Sequence, residues 1–223
     1  MTRKILLVGT GSFAEVAFEY FEGEAETTVA GFLVESAYRD RTEFCDVPVI
    51  DFENAEASFP PDEHEIFVAL VYNELNRSRT RLLSQAKGKG YRAASFISKH
   101  AFISKSATLG EHCFVFEGNV IQPQVSIGDN VVLWSGNHIG HHTRIENNVF
   151  VSSHVVISGH CTIGENCFLG VNSAITNDTV VGADCWIGPG VTIPSDVPAG
   201  SMYSAPKPTP SKVSTHRFFK LEP

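Results

Sequence analysis

The chain has 223 residues, 43% of them hydrophobic, with 17 basic and 25 acidic side chains and a formal charge of −8. This length fits one or two domains, and the acidic balance excludes nonspecific binding to nucleic acid or a membrane surface, which needs a basic face. No apolar run reaches the length of a membrane span, and the first residues lack a signal-peptide cleavage pattern, so a cytoplasmic protein is expected.

Residues 4–8 (Lys-Ile-Leu-Leu-Val) predict a buried strand. Gly9-Thr10-Gly11-Ser12-Phe13-Ala14 follows, then a helical pattern with Phe13, Val16, Ala17 and Tyr20 on one face. This is G-x-G-x-x-A in a strand–turn–helix setting, where glycines let backbone approach a phosphate and the helix N-terminus supplies free N–H groups. A second strand at 28–34 ends at Glu35, an acidic side chain placed to meet a ribose or a base. Residues 48–50 and 65–71 predict further strands, and Asn73 is read as the N-cap of a helix carrying Leu75, Leu82 and Leu83 that Gly88 and Gly90 end. Residues 1–93 suffice for one mononucleotide-binding half and not for a full dinucleotide fold. A nucleotide-bearing ligand is expected there, with a purely structural half-Rossmann unit as the alternative.

From 97 to 193 an aliphatic residue recurs at every sixth position without a failure, from Ile97, Ile103 and Leu109 through to Val181, Ile187 and Ile193. Helices repeat at 3.6 and strands at 2; a period of six is the signature of a parallel β-helix whose three short strands make one turn of a triangular prism. The fourth residue after each aliphatic lead is small or β-branched, or an asparagine, as a narrow interior requires. Four of the five cysteines (Cys113, Cys161, Cys167 and Cys185) sit there as small interior side chains, and there is no CxxC pair. Glycine follows the lead at Gly110, Gly128, Gly164 and Gly182, which marks one corner and suggests positive φ. Asn119 and Asn137, eighteen apart, predict an interior amide ladder, with a catalytic amide as the alternative. Phe116 and Trp134 form a corner column read as exposed and as an interface between prisms. The β-helix is assigned to 94–198, after which Pro194, Pro198 and Gly200 interrupt the repeat. The proline-rich tail 199–223, with Phe218 and Phe219, is expected to cap the open end or pack on a neighbour.

Histidines concentrate in the repeat at His138, His141, His142, His154 and His160. Folding the sequence into eighteen-residue coils puts His141 beneath Gly159, which leaves space beside an imidazole for a thin ligand to approach. His142, His160 and Asp178 form the adjacent column. An orienting hydrogen bond among them is possible, because a catalytic histidine needs its second nitrogen held. His138 is left open between an inward and an outward position, and His154 is read as structural.

Gly9-Thr-Gly11-Ser12, Phe67-Val-Ala-Leu-Val-Tyr72-Asn73, residues 96–103, His141 and residues 164–173 together resemble bacterial nucleotide-sugar acetyltransferases. These combine a small α/β N-terminal half-Rossmann domain with a left-handed parallel β-helix of hexapeptide repeats. The group includes enzymes that N-acetylate amino sugars for bacillosamine and perosamine, and relatives that O-acetylate sialic acid. The resemblance implies a homotrimer with active sites between subunits, and acetyl-CoA as co-substrate with no metal. It also implies a role in surface-polysaccharide or glycan synthesis. The nucleotide sugar would contact Gly9, Gly11, Ser12, Phe13, Glu35, Tyr72 and Asn73; acetyl-CoA would lie along Gly159, His160, Asn177, Gly188 and Gly190. The catalytic base falls on His141, followed here by His142 where the family has an acidic residue. A backbone N–H near Gly159 is the expected oxyanion donor. The implied reaction is direct N-acetylation of a 4-amino-4,6-dideoxy sugar on UDP, dTDP or GDP. Alternatives are sugar O-acetylation, a non-enzymatic nucleotide-sugar-binding trimer, and a zinc hydratase, whose histidine pair five residues apart is missing here.

Overall fold

A computed structural model describes residues 2–221; the expectations for Met1, Glu222 and Pro223 lie outside it. The N-terminal part is one sheet built from β1 (Arg3–Val8), β2 (Thr27–Val34), β3 (Glu43–Phe44), β4 (Val47–Asp51), β5 (His64–Val68) and β6 (Arg92–Ala93). The strand order is β3-β4-β2-β1-β5-β6, parallel except for β3 against β4. Helices α1 (Ser12–Glu22), α2 (Ala55–Ser58) and α3 (Arg77–Gly88) pack around it. The order reverses at β1, whose neighbours are β2 on one side and β5 on the other, so a crevice opens beyond the carboxyl ends of these strands.

Helix α3 starts three residues later than the sequence suggests. Glu74, Leu75 and Asn76 each have positive φ (52°, 50° and 66°), so the chain makes a left-handed run where a helix was expected, and Asn76 rather than Asn73 is the N-cap residue. Asn76 is held there because its Nδ2 donates to the Asn148 carbonyl at 2.6 Å.

Seventeen two-residue strands follow, β7 (Phe96–Ile97) through β23 (Thr192–Ile193), one for each aliphatic lead. Each pairs in parallel with the strand eighteen residues away, so the three faces of a prism are three continuous sheets. The leads and the small residues four positions on fill one core, in which Val115, Ile121, Leu133, Ile139 and Ile157 are fully buried. Among the described residues the five cysteines are free thiols. Burial pushes the Cys113 thiol up to about 11 and Cys167 to about 12, so these two are inert at neutral pH. The six-residue period ends at Ile193, as the prolines predict, but the coil continues for one more partial turn. Val197 bridges to Val181, and β24 (Met202–Tyr203) pairs with Trp186 and Ile187 after sixteen residues instead of eighteen.

Two sequence readings of the corners are corrected. The glycines after the leads do not have positive φ; the left-handed residues lie two positions later, at His112, Asn130, Asn148, Asn166 and Asp184. Glycine is needed after the lead because the next coil passes too close. A Cβ on Gly110 would lie 2.7 Å from the Gly128 carbonyl carbon and 2.8 Å from the Asp129 nitrogen. The interior asparagines do not bond each other. Asn119 Nδ2 donates to the Phe116 and Trp134 carbonyls at 2.8 and 2.9 Å, and Asn137 Oδ1 accepts the Val155 N–H at 2.8 Å.

The two parts of the chain are joined along one prism face. Its outward residues are Phe96, Phe114, Val132, Phe150, Phe168 and Trp186, an aromatic column at eighteen-residue spacing. Phe13, Tyr20 and Phe21 of α1 pack on it, with ring centroids 5.5 Å apart for Phe13 and Phe114 and 5.0 Å for Tyr20 and Phe116. Phe116 is therefore buried and not at a surface between prisms, and Trp134 stacks on it at 4.3 Å. Helix α3 adds a buried polar clamp. Arg79, fully buried, donates from Nε to Asn130 Oδ1 at 2.6 Å and from Nη2 to the His112 carbonyl at 3.2 Å, and its guanidinium lies 4.9 Å from the Phe67 ring centroid. Burial pushes its pKa down to about 9, which leaves it charged at neutral pH. His112 Nε2 accepts the Val68 N–H at 2.8 Å, so Nδ1 carries the proton given to Asn130 Oδ1 at 2.7 Å.

Only the start of the tail meets the prism, where β24 pairs with Trp186 and Ile187 on the last coil. Apart from half-buried Ser201, residues 199–221 are exposed, including α4 (Thr215–Phe219) with Phe218 and Phe219. Among the described residues no helix is long and apolar enough to cross a membrane.

Candidate functional site

Two candidate regions lie on different sides of the molecule. The first is the crevice at the strand ends, a cavity of about 420 Å³ lined by Gly9, Thr10, Glu35, Tyr38, Asn73, Ser78 and Arg81 among others. Gly9 has φ +108°, and a Cβ there would lie 3.0 Å from Leu70 Cδ2, so both the turn and the close approach require glycine. Of the residues expected at a nucleotide, Gly9, Glu35 and Asn73 line this cavity. Gly11 and Ser12 begin α1, exposed, with the N–H groups of Ala14 and Glu15 closing onto the Gly11 carbonyl.

Phe13 and Tyr72 do not line it. Phe13 is the wedge between α1 and the prism, and the Tyr72 ring packs 4.5 Å from Phe168 and 5.1 Å from Phe150. Glu35 is not a free acid either. Arg81 donates to both its carboxylate oxygens at 2.9 Å, and this pairing holds its carboxyl below the usual range. Arg81, Ser78 and Tyr38 were missed. The signal for the first two is Ser78 and Arg81 three apart on α3, on the polar side of a helix that the sequence marks by Leu75, Leu82 and Leu83.

The second region is the prism corner after Ile139, Ile157 and Ile175. It is the edge between the two faces that the N-terminal part does not cover, opposite the aromatic docking face. His142 and His160 occupy left-handed positions (φ 59° and 58°), with Asp178 one coil further. Their rings stack at 4.7 Å, which is the coil spacing. His141 projects beside them, exposed, and its ring lies under Gly159, where a Cβ would come within 2.8 Å of Cε1. The imidazole itself thus occupies the place that a side chain at Gly159 would take.

His141 makes two polar contacts, one through its backbone and one through its ring. Its backbone N–H donates to Gln122 Oε1 at 2.9 Å, and its Nδ1 lies 3.1 Å from His142 Nδ1, so a second imidazole stands where an acidic partner was expected. The N–H expected to serve an oxyanion is occupied: Gly159 N–H donates to Asn177 Oδ1 at 3.0 Å, and His160 N–H to the His141 carbonyl at 2.9 Å. Gly188 and Gly190 follow Ile187 and so sit at a different corner; within one chain they do not meet His141. His138 lies outward on its strand, half-buried, beside Val120 and Val156 of neighbouring coils. His154 lies over Gly136, where a Cβ would meet its Nδ1 at 2.6 Å.

The repeat matches a family model described as bacterial transferase hexapeptide (six repeats) over 106–141 and 142–177, and one described as hexapeptide repeat of succinyl-transferase over 161–195. Among solved structures, the acetyltransferase domain of PglB from Neisseria gonorrhoeae, in complex with acetyl coenzyme A, is 25% identical. The match covers 91% of this chain and 96% of that one, with a TM-score of 0.78. The chain is an acyltransferase that carries hexapeptide repeats. It is similar to nucleotide-sugar N-acetyltransferases of this type. Perosamine N-acetyltransferase from Caulobacter crescentus, solved with CoA and GDP-perosamine as native and as histidine-to-asparagine and histidine-to-alanine mutants, is 26% identical, covering 89% of this chain and 92% of that one at a TM-score of 0.79. WeeI from Acinetobacter baumannii shares the fold at 16% identity and a TM-score of 0.59 over 90% of this acyltransferase and 96% of its own chain. No curated protein sequence matches.

Proposed function

We propose that this acyltransferase moves the acetyl group of acetyl-CoA to the amino group of a nucleotide-linked amino sugar, a 4-amino-4,6-dideoxy hexose on UDP, dTDP or GDP. His141 is the general base. The observation that carries this reading is the His141 imidazole, paired with His142 against the bare backbone of Gly159 on a residue whose main-chain N–H is tied to Gln122, where a thioester can come alongside. The amine nitrogen attacks the thioester carbonyl carbon while His141 takes its proton. The C–S bond then breaks, and the thiolate leaves with that proton returned from the imidazole. No covalent enzyme intermediate is required. Asn177 Nδ2, whose amide oxygen is already engaged by Gly159, is the free donor of this rung and a better candidate than the Gly159 N–H for the developing oxyanion.

The sugar nucleotide would occupy the strand-end crevice, with Gly9 at the phosphates and the Glu35–Arg81 pair and Tyr38 at the ribose or base. That crevice belongs to the part covering one prism face, whereas His141 is on the opposite edge, so a productive site takes the crevice of one subunit and the histidine of another. A homotrimer with three such sites satisfies this requirement. The uncovered face beside His141 favours it, because Phe102, Val120 and Val156 stand 61%, 37% and 44% exposed in one column.

The test is CoA release from acetyl-CoA with UDP-, dTDP- and GDP-linked 4-amino sugars and their 4-hydroxy analogues. Release with an amino sugar is expected, and His141→Asn should lower turnover by about 10²–10⁴-fold. No release with any amino sugar, or release with the hydroxy sugars alone, contradicts the reading.

A further inference from the structure

His141, His142 and His160 each present a ring nitrogen, and the three nitrogens lie within 4.8 Å of one another on the exposed corner. The set is held from the backbone outward. His142 and His160 occupy the same left-handed corner position on successive coils, and each is tied to a neighbouring coil through its own N–H. His141 is fixed by Gln122 and by the bare backbone of Gly159 above its ring. Its Nδ1 faces His142 Nδ1 at 3.1 Å, and the His141 and His160 rings meet edge to face at 5.1 Å.

We propose that these three imidazoles form a binding site for a late first-row divalent cation of the Zn²⁺ class, which competes with catalysis. Zinc–imidazole bonds of about 2.0–2.1 Å in a tetrahedral arrangement put neighbouring nitrogens about 3.3 Å apart. The His141–His142 pair is already at that separation. His160 reaches it by a ring rotation that its exposure leaves free. In the empty site one Nδ1–H of the pair donates to the other nitrogen. On binding, that proton moves to Nε2 of its own ring, and both Nδ1 lone pairs become ligands. A donor set of imidazoles alone selects Zn²⁺, Co²⁺, Ni²⁺ or Cu²⁺ and discriminates against Mg²⁺ and Ca²⁺, which take oxygen ligands.

The inhibitory consequence rests on His141 as base, because with Nδ1 on the metal and a proton on Nε2 the ring keeps no lone pair to accept the amine proton; the site itself does not. The experiment is a Co²⁺ titration of the untagged full-length protein, read by visible d–d absorption and by equilibrium dialysis, with parallel Zn²⁺ inhibition of acetyl transfer. One Co²⁺ per chain is expected, displaced by Zn²⁺ and not by Mg²⁺. His142→Asn and His160→Asn should each weaken binding by at least the roughly tenfold that losing a supporting hydrogen bond to a ligand costs. Asparagine tolerates the left-handed backbone there, as at Asn130 and Asn166, and thermal melting checks that both variants fold. Absence of Co²⁺ binding, or binding unchanged in His160→Asn, overturns the site whatever the activity shows. Binding with no effect of Zn²⁺ on acetyl transfer leaves the site standing and removes His141 from its role as base.

Discussion

At the scale of single residues, the corner that holds His141 depends on what is absent from Gly159. A Cβ at that position would come within 2.8–3.2 Å of three ring atoms of His141, and the ring must swing out or tilt to escape it. Gly159→Ala should therefore lower turnover by at least about tenfold, since a misplacement near 1 Å costs up to about 10² in rate, while the melting temperature moves little. An activity equal to wild type would mean that the imidazole position is irrelevant to the chemistry. This relation was legible in the sequence because an exact eighteen-residue coil turns residue numbers into neighbours. Its partners were not. The Gly159 N–H looked available until Asn177 was seen to occupy it, and Glu35 looked free until Arg81 was seen to cap it. Side chains that bridge from another element leave no trace in a linear period.

At the scale of elements, the join between α3 and the prism is a buried guanidinium with no carboxylate partner among the described residues. Asn130 Oδ1 receives both Arg79 Nε and His112 Nδ1. Asn130→Ala strands both donors and places alanine at φ 59°, and it should destabilise the protein by about 2–5 kcal/mol in urea unfolding. His112 makes the same join sensitive to acid. Burial, and then the Arg79 charge, hold its pKa well below the ordinary value, so it stays neutral in the fold and is protonated in the unfolded chain below about 6.5. The unfolded state then binds the extra proton, so this stabilisation is present above pH 6.5 and is lost as pH falls below it. His112→Gln should flatten the fall of melting temperature between pH 7 and 5; an unchanged slope would assign the acid sensitivity elsewhere. The strands of this region were readable, but the start of α3 was not, because Glu74-Leu75-Asn76 has helical composition and a left-handed backbone fixed only by Asn76 reaching Asn148.

At the scale of the whole molecule, the prism presents three unlike faces. One carries the aromatic column from Phe96 to Trp186 under the chain's own N-terminal part, one carries Phe102, Val120 and Val156 uncovered, and the third carries Thr108, Ser126, Arg144 and Thr162. The sequence held this column in the residue before each lead, but Phe116 and Trp134 were read as contacts between molecules. An interior junction and an oligomer interface have the same composition, and only the strand register separates them. Val120→Glu, on the uncovered apolar column, should break the assembly into monomers by light scattering and abolish transfer without unfolding the chain. A variant that remained trimeric and active would move the interface to another face.

The central claim is that crevice and histidine come from different subunits, and mixed assemblies test it most directly. His141→Asn, which lacks the base, and Ser78→Trp, which fills the crevice, are each expected to be inactive and folded. Co-expressed and purified as mixed trimers, they should regain about a quarter of wild-type activity, because random assembly pairs an intact crevice with an intact histidine at about one junction in four. Activity no higher than that of the two variants assayed separately would contradict the claim and return the whole site to a single chain.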